Sequence, residues 1–170
     1  MRDTYKEKDF VNYVGHNPSS YGNTNIAQID SLIEGENYWE FQLTVIEPYE
    51  KVYCMANLIR PIFTEAEHLL NLGFVEETAT PKTRVFRLGE LIVSSFYLYI
   101  PELHLHFNSG FCLGNVSEIT LETFRGEYLK SNEVDFSALH ETFPTLANLN
   151  DLIYEYVKYY DFDIRKIYKA

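Results

Sequence analysis

Residues 91–107 read LIVSSFYLYIPELHLHF, and on both sides of Pro101-Glu102 apolar and polar side chains alternate with a period of two. Only a β-strand puts alternate residues on one face, so this stretch predicts a hairpin. With a tight turn over Ile100-Pro101-Glu102-Leu103, Leu98 lies opposite Leu105, Tyr97 opposite His106, and Tyr99 opposite His104. Phe96, Leu98, Ile100, Leu103, Leu105 and Phe107 then share one face. Tyr97, Tyr99, His104 and His106 share the other. Phe86, Leu88, Leu91 and Val93 have the parity of the Tyr/His face. Either a helix covers part of that face, or a bulge at Ser94-Ser95 changes the register.

The same period appears in YWEFQLTVI (residues 38–46), where Trp39, Phe41, Leu43 and Val45 alternate with Tyr38, Glu40, Gln42 and Thr44. After a turn at Pro48, residues 51–59 supply an antiparallel partner, with Val52, Cys54, Ala56 and Leu58 facing the core. TRVFRL is joined to LIVSSFYLYI by the two-residue turn Gly89-Glu90. SEITLETF (residues 117–124) alternates again and reads as a strand.

Helical spacing accounts for most of the rest. Thr4-Tyr5-Lys6-Glu7 has the form of a capping box, which predicts a helix to about Val14 with Phe10, Tyr13 and Val14 on one side. GHNPSSYGNTN (residues 15–25) is a loop by composition. Ile26, Ile29, Leu32 and Ile33 predict a second helix, stopped by Gly35. Thr64-Glu65-Ala66-Glu67 opens a third, which carries Leu69, Leu70 and Leu72 and ends at Gly73 with Phe74 following. Helices are expected over about 134–143 and 146–160, the latter capped by Thr145. The segment 161–170 has no clear pattern. The order is ααββαββββαα. Strands joined in hairpins rather than through crossover helices make this a single α+β domain over residues 1–170, a mainly antiparallel sheet with helices packed on it.

Charge narrows the function. Twenty-five Asp and Glu against fourteen Lys and Arg give −11, and no Lys or Arg occurs between Lys8 and Lys51, Arg87 and Arg125, or Lys130 and Lys158. Nucleic acids and anionic membranes both require a basic face, so neither is an expected partner. A basic protein partner fits, because complementary fields speed its association. No apolar run approaches the ~20 residues of a membrane helix, and the charged start MRDTYKEKDF is not a signal peptide. The expected location is the cytoplasm. Fourteen tyrosines add rings suited to interfaces, although a base composition favouring Tyr and Asn codons also yields them.

Catalytic and metal patterns are wanting. Cys54 and Cys112 form no CxxC set and read as buried thiols. There is no phosphate loop, GxGxxG, GxSxG or HExxH. His16, Ser19 and Ser20 fall in the composition-defined loop, while His68 and His140 sit among apolar residues of helices. His104 and His106, at i and i+2 on a strand, would need a third ligand to hold a metal. Glu102 has the right parity but lies in the turn, and the direction of Cys112 is open beyond Gly110. No metal or other cofactor is expected.

The composition, small, acidic, Tyr-rich and motif-poor, is similar to that of bacterial immunity proteins and of phage inhibitors of host defences. That likeness is of composition and not of residues. The leading expectation is a non-enzymatic protein that neutralises a basic protein partner through Tyr38, Glu40, Gln42, Tyr97, Tyr99 and His104. The alternatives are a ligand pocket or enzyme on the Tyr97, Tyr99, His104 and His106 face, and a self-assembling subunit that buries the tyrosines in a homo-oligomer.

Overall fold

The computed structural model describes residues 5–15, 25–33, 40–46, 49–133 and 136–168. Thr4, the loop residues His16, Ser19 and Ser20, and Gly35, Tyr38, Trp39 and Pro48 lie outside them. Among the described residues, two antiparallel sheets and five helices make the chain α+β, as the hairpin pattern requires. It divides into two compact units, Met1–Ile62 and Phe63–Ala170.

Among its described residues the first unit has five strands and one short 3-10 turn: β1 (Phe10–Tyr13), β2 (Asn25–Leu32), β3 (Phe41–Val45), β4 (Glu50–Cys54), the turn at Ala56–Leu58 and β5 (Ile59–Arg60). The sheet order is β4-β3-β2-β1-β5, so its two edge strands are consecutive in the chain. In a flat sheet they would stand roughly 19 Å apart. Residues 55–58, three of them in a 3-10 turn, cannot reach so far at about 2 Å of rise per residue. The sheet therefore curls around its own core, which holds Val11, Ala27, Ile29, Phe41, Leu43 and Val45. Tyr5 closes one side, its ring edge-on to Phe41 at 6.1 Å.

Both expected N-terminal helices are strands, and the physical reasons can be traced. Val11 and Tyr13 point into the core with the period of a strand, and the left-handed backbone at Lys8, φ 73°, breaks any helix running from Thr4. In β2 the pairing with β3 shifts between Ile29 and Ser31. This bulge lets Ala27, Ile29 and Leu32 all face the core. The spacing of three from Ile29 to Leu32 is that of a helix, but here it comes from one extra residue in a ladder.

The second unit contains α1 (Ala66–Asn71), β6 (Val75–Ala79), β7 (Thr83–Leu88), β8 (Leu91–Ile100), β9 (Leu105–Leu113), α2 (Glu118–Ser131), α3 (Phe136–Thr142), α4 (Leu149–Tyr156) and α5 (Ile164–Ile167). Its sheet is the meander β6-β7-β8-β9. SEITLETF is not a strand. Ser117 caps α2 by accepting the Thr120 N–H at 3.2 Å. Leu121, Phe124 and Tyr128, spaced for a helix, then pack against Phe96, Leu98 and Ile100. β6 was not expected, because its side chains are mostly exposed and leave no apolar pattern. Its Glu76 and Glu77 pair with Arg84 at 2.6 Å and Arg87 at 2.9 Å. Charge of this kind protects an edge strand from stray pairing. α4 starts from Asn148, not Thr145: the Asn148 side chain accepts the Asn150 N–H at 2.9 Å. The tail forms α5, capped by Asp163.

α1 lies one residue further on than its sequence signal. Glu65 is the N-cap, and its own N–H donates to His68 Nδ1 at 3.0 Å. Thr64 Oγ1 instead donates to Leu146 O at 2.6 Å. The expected stop at Gly73 holds. Gly73 N–H donates to Leu70 O and Phe74 N–H to Leu69 O, both at 3.0 Å, with Gly73 at φ +101°. This is the paired hydrogen-bond closure that glycine permits. Gly73→Ala should cost at least ~1 kcal/mol in urea unfolding, because a Cβ is strained at that φ.

Burial holds His68 below the usual histidine range, against the opposing pull of Glu65 and Glu67. A histidine with a depressed folded pKa is neutral in both states above about pH 6.5 and costs nothing there. Below that value only the unfolded chain takes up the proton, so stability falls. The urea midpoint of the wild type should drop between pH 7.5 and 5.5 by more than that of His68→Gln. Equal drops would remove this role.

Candidate functional site

The β8–β9 hairpin builds the only sequence-predicted cluster of functional side chains that comes together among the described residues. Its loop is longer than the two residues expected. Pro101 lacks an N–H and starts a 3-10 turn over Pro101–Leu103, which His104 closes in the left-handed conformation at φ 49°. Ile100 therefore pairs with Leu105, Tyr99 with His106 and Tyr97 with Asn108. Two extra loop residues shift the register by two, so the faces survive and the partners change. His104 leaves the strand and is exposed in the turn, apart from the tyrosines. The predicted pairs of Tyr99 with His104 and Tyr97 with His106 are corrected accordingly.

Tyr97, Tyr99 and His106 form one aromatic group on the outer face of this hairpin. The Tyr97 and Tyr99 rings are near-parallel at 6.5 Å, and Tyr99 stacks on His106 at 4.4 Å. The Tyr97 hydroxyl and His106 Nδ1 share a hydrogen bond. This bond and the stack hold both polar tips in place on a surface where Tyr99 remains 48% exposed. On the inner face Leu98, Ile100, Leu105 and Phe107 pack under α2 and α3, and Phe136 stacks on Phe107 at 4.3 Å.

A bulge settles the direction of Cys112. Ser95 pairs with Phe111 and Tyr97 with Asn108, so Ser109 and Gly110 together oppose Phe96. Gly110 supplies the positive φ, +64°, and Ser109 Oγ accepts the Phe96 N–H at 2.9 Å. A bulge at Ser94-Ser95 was one of the two alternatives for this face, and the bulge lies in the partner strand. It reverses the alternation in β9: Cys112 points into the inner core, and Phe111 reaches Phe86 on the outer face at 5.8 Å. That half of the outer face is covered, with Phe86 and Val93 buried. The hydroxyl of Tyr160, just after α4, stands 2.6 Å from where a Gly89 Cβ would be. Cys112 and His106 are thus on opposite faces. Among the described residues no group of three His, Cys, Asp or Glu side chains is placed to hold a metal ion.

A cleft of about 450 Å³ adjoins Tyr97 and Tyr99, lined also by Lys82, Leu121, Glu122 and Arg125. Sequence reasoning missed these four, since helix and turn residues reach the hairpin only through the fold. Arg125 pairs with Glu102 at 3.0 Å, which takes up the carboxylate considered as a third ligand. A hydrogen bond from its own backbone, with the bond from Arg125 adding to it, holds the Glu102 carboxyl below the usual range.

The other predicted residues belong to the first unit or to different chemistry. Glu40 precedes β3, and its N–H donates to Cys54 O at 3.1 Å. Gln42 faces away from the core, accepts from Ser31 Oγ at 3.2 Å, and lies opposite the exposed Tyr53. His140 adjoins a separate cleft with Asp151 and Glu155, but no hydrogen bond joins it to either, and Glu155 is held by Lys158 at 3.0 Å. Cys54 and Cys112 are free and buried. Burial, with Glu40 adding to it, pushes Cys54 up to about 11, and burial pushes Cys112 up to about 12.

Both thiols should resist iodoacetamide at pH 8 in the folded protein and react once urea unfolds it, because only the thiolate is nucleophilic. The register has its own test. Cysteines at 99 and 106, directly opposed, should oxidise to an intramolecular disulfide; cysteines at 99 and 104 should not. A disulfide in the second pair alone would restore the two-residue turn. Among the described residues no helix is long and apolar enough to cross a membrane. No protein-family model, curated protein or solved structure matches the chain.

Proposed function

We propose that this chain is a non-enzymatic binding protein that docks a basic protein partner on the outer face of the β8–β9 hairpin and neutralises it by occlusion. The observation that carries the reading is the ordered aromatic group Tyr97, Tyr99 and His106, left open to solvent beside a cleft. Rings held in place by stacking lose little conformational freedom on binding, and such rings are the usual anchors of interfaces. The −11 charge favours a cationic partner and its fast association. Among the described residues no carboxylate orients His106, the third group that a hydroxyl–imidazole pair would need, which favours binding over catalysis. Relative to the sequence expectation, His106 takes the place of His104. Glu40 and Gln42 belong to the first unit.

A photo-reactive phenylalanine at position 99, expressed in the native host, should crosslink to a basic protein. With that protein purified, Tyr97→Ala/Tyr99→Ala/His106→Ala should weaken binding at least tenfold, about 1.4 kcal/mol. Gln42→Ala should leave it within about threefold. Association should slow steeply as salt rises from 0.05 to 0.5 M. Binding of the triple variant within threefold of wild type would remove the proposal.

A further inference from the structure

Tyr97, Leu98 and Tyr99 are consecutive, yet all three line the one cleft. Successive side chains of a strand point to opposite faces, so this cavity lies at the edge of β8 and not on a face. β7 begins at Thr83, opposite Phe96, while β8 continues to Ile100. Beyond Phe96, β8 has β9 on one side and no strand on the other among the described residues. The Tyr97 N–H points to that open side, where it donates to Lys82 O at 2.8 Å. On an antiparallel strand the N–H and C=O of one residue point the same way, and the direction alternates along the chain. The N–H and C=O of Tyr99 therefore face the cleft, one step past the last backbone partner.

We infer that this edge takes up an extended segment of the partner as an added strand, one whose side chains alternate apolar and basic. The inference rests on the binding reading above and specifies its mode. Backbone pairing at Tyr99 supplies the register. Side chains of the incoming strand on one side lie over the Tyr97 and Tyr99 rings, which attract Lys and Arg as well as apolar groups. Those on the other side meet Leu121 and Glu122. Charge selects a basic segment: Glu102 neutralises Arg125, Glu122 makes no ion pair among the described residues, and the whole chain carries −11. The same charge disfavours a second copy of this chain as the occupant. Lys82 at the β7 end is the opposing charge in the cleft.

The test titrates the full chain with a synthetic octapeptide alternating Val and Arg. Two control peptides are used, the same sequence N-methylated at every amide and an octapeptide alternating Val and Glu. Exchange of each backbone amide is followed by NMR. At ten times its Kd the Val/Arg peptide should slow Tyr99 N–H exchange about tenfold and shift Tyr97–Ile100, and neither control should. Lys82→Glu should tighten the Val/Arg peptide about threefold. Preferential binding of the Val/Glu peptide would overturn the basic segment. Slow Tyr99 exchange that grows with protein concentration and needs no peptide would put a second copy at the edge. No change at Tyr99 with millimolar Val/Arg peptide would overturn the edge itself. The face reading would still stand if the triple Tyr97, Tyr99 and His106 variant loses its partner, so the two failures are distinguishable.

Discussion

The loop that turns β8 into β9 governs what the second unit can present. A proline at its start withholds one N–H, a 3-10 turn follows, and His104 accepts a left-handed backbone to close it. Because the loop takes four residues, His106 and not His104 comes to rest beside Tyr99. The ring stack and the shared hydrogen bond with Tyr97 follow from that count, with Tyr99 and His106 exposed and Tyr97 half-buried. Further along, the Ser109-Gly110 bulge reverses the alternation of β9, so the strand serves two cores with residues of the same parity.

The length mismatch between β7 and β8 is the second constraint. β7 stops opposite Phe96, and the strand beside it keeps going. Sheets usually blunt such edges with charge, as β6 does through its glutamates paired to Arg84 and Arg87. At Tyr97–Ile100 the edge is bordered by two tyrosines, two prolines, two leucines and the charged Lys82, Glu122 and Arg125, the last paired with Glu102. An unblunted edge beside exposed rings is what joins the surface argument to the backbone argument, since one incoming strand would satisfy both.

The first unit shows a different economy. Its fold follows from a four-residue link between opposite edges of a five-stranded sheet, which compels the curl. Apolar residues at alternating positions in β1 to β4 then converge on one interior, and the outward positions carry short polar contacts such as Thr44 with Asp30 at 2.7 Å and Ser31 with Gln42.

Sequence alone determined the class, because the period of two over 41–45 and 96–107, with turns between the runs, is that of strands in hairpins. It determined the partition of Phe96, Leu98 and Ile100 from Tyr97 and Tyr99, the end of α1 at Gly73, and the burial of both cysteines, each the consequence of a local period or a backbone preference. It misled where a local signal had two physical origins. A bulge at Ile29 gave β2 helical spacing, alternation at Ile119 and Leu121 lay inside a helix, and β6 buried too little to leave a pattern. Only tertiary structure decided that His106 and not His104 lies opposite Tyr99, that Cys112 turns away from His106, and that Lys82, Glu122 and Arg125 meet the tyrosines at an open edge. Those outcomes depend on loop length, bulge position and strand mismatch, which a period of two does not encode.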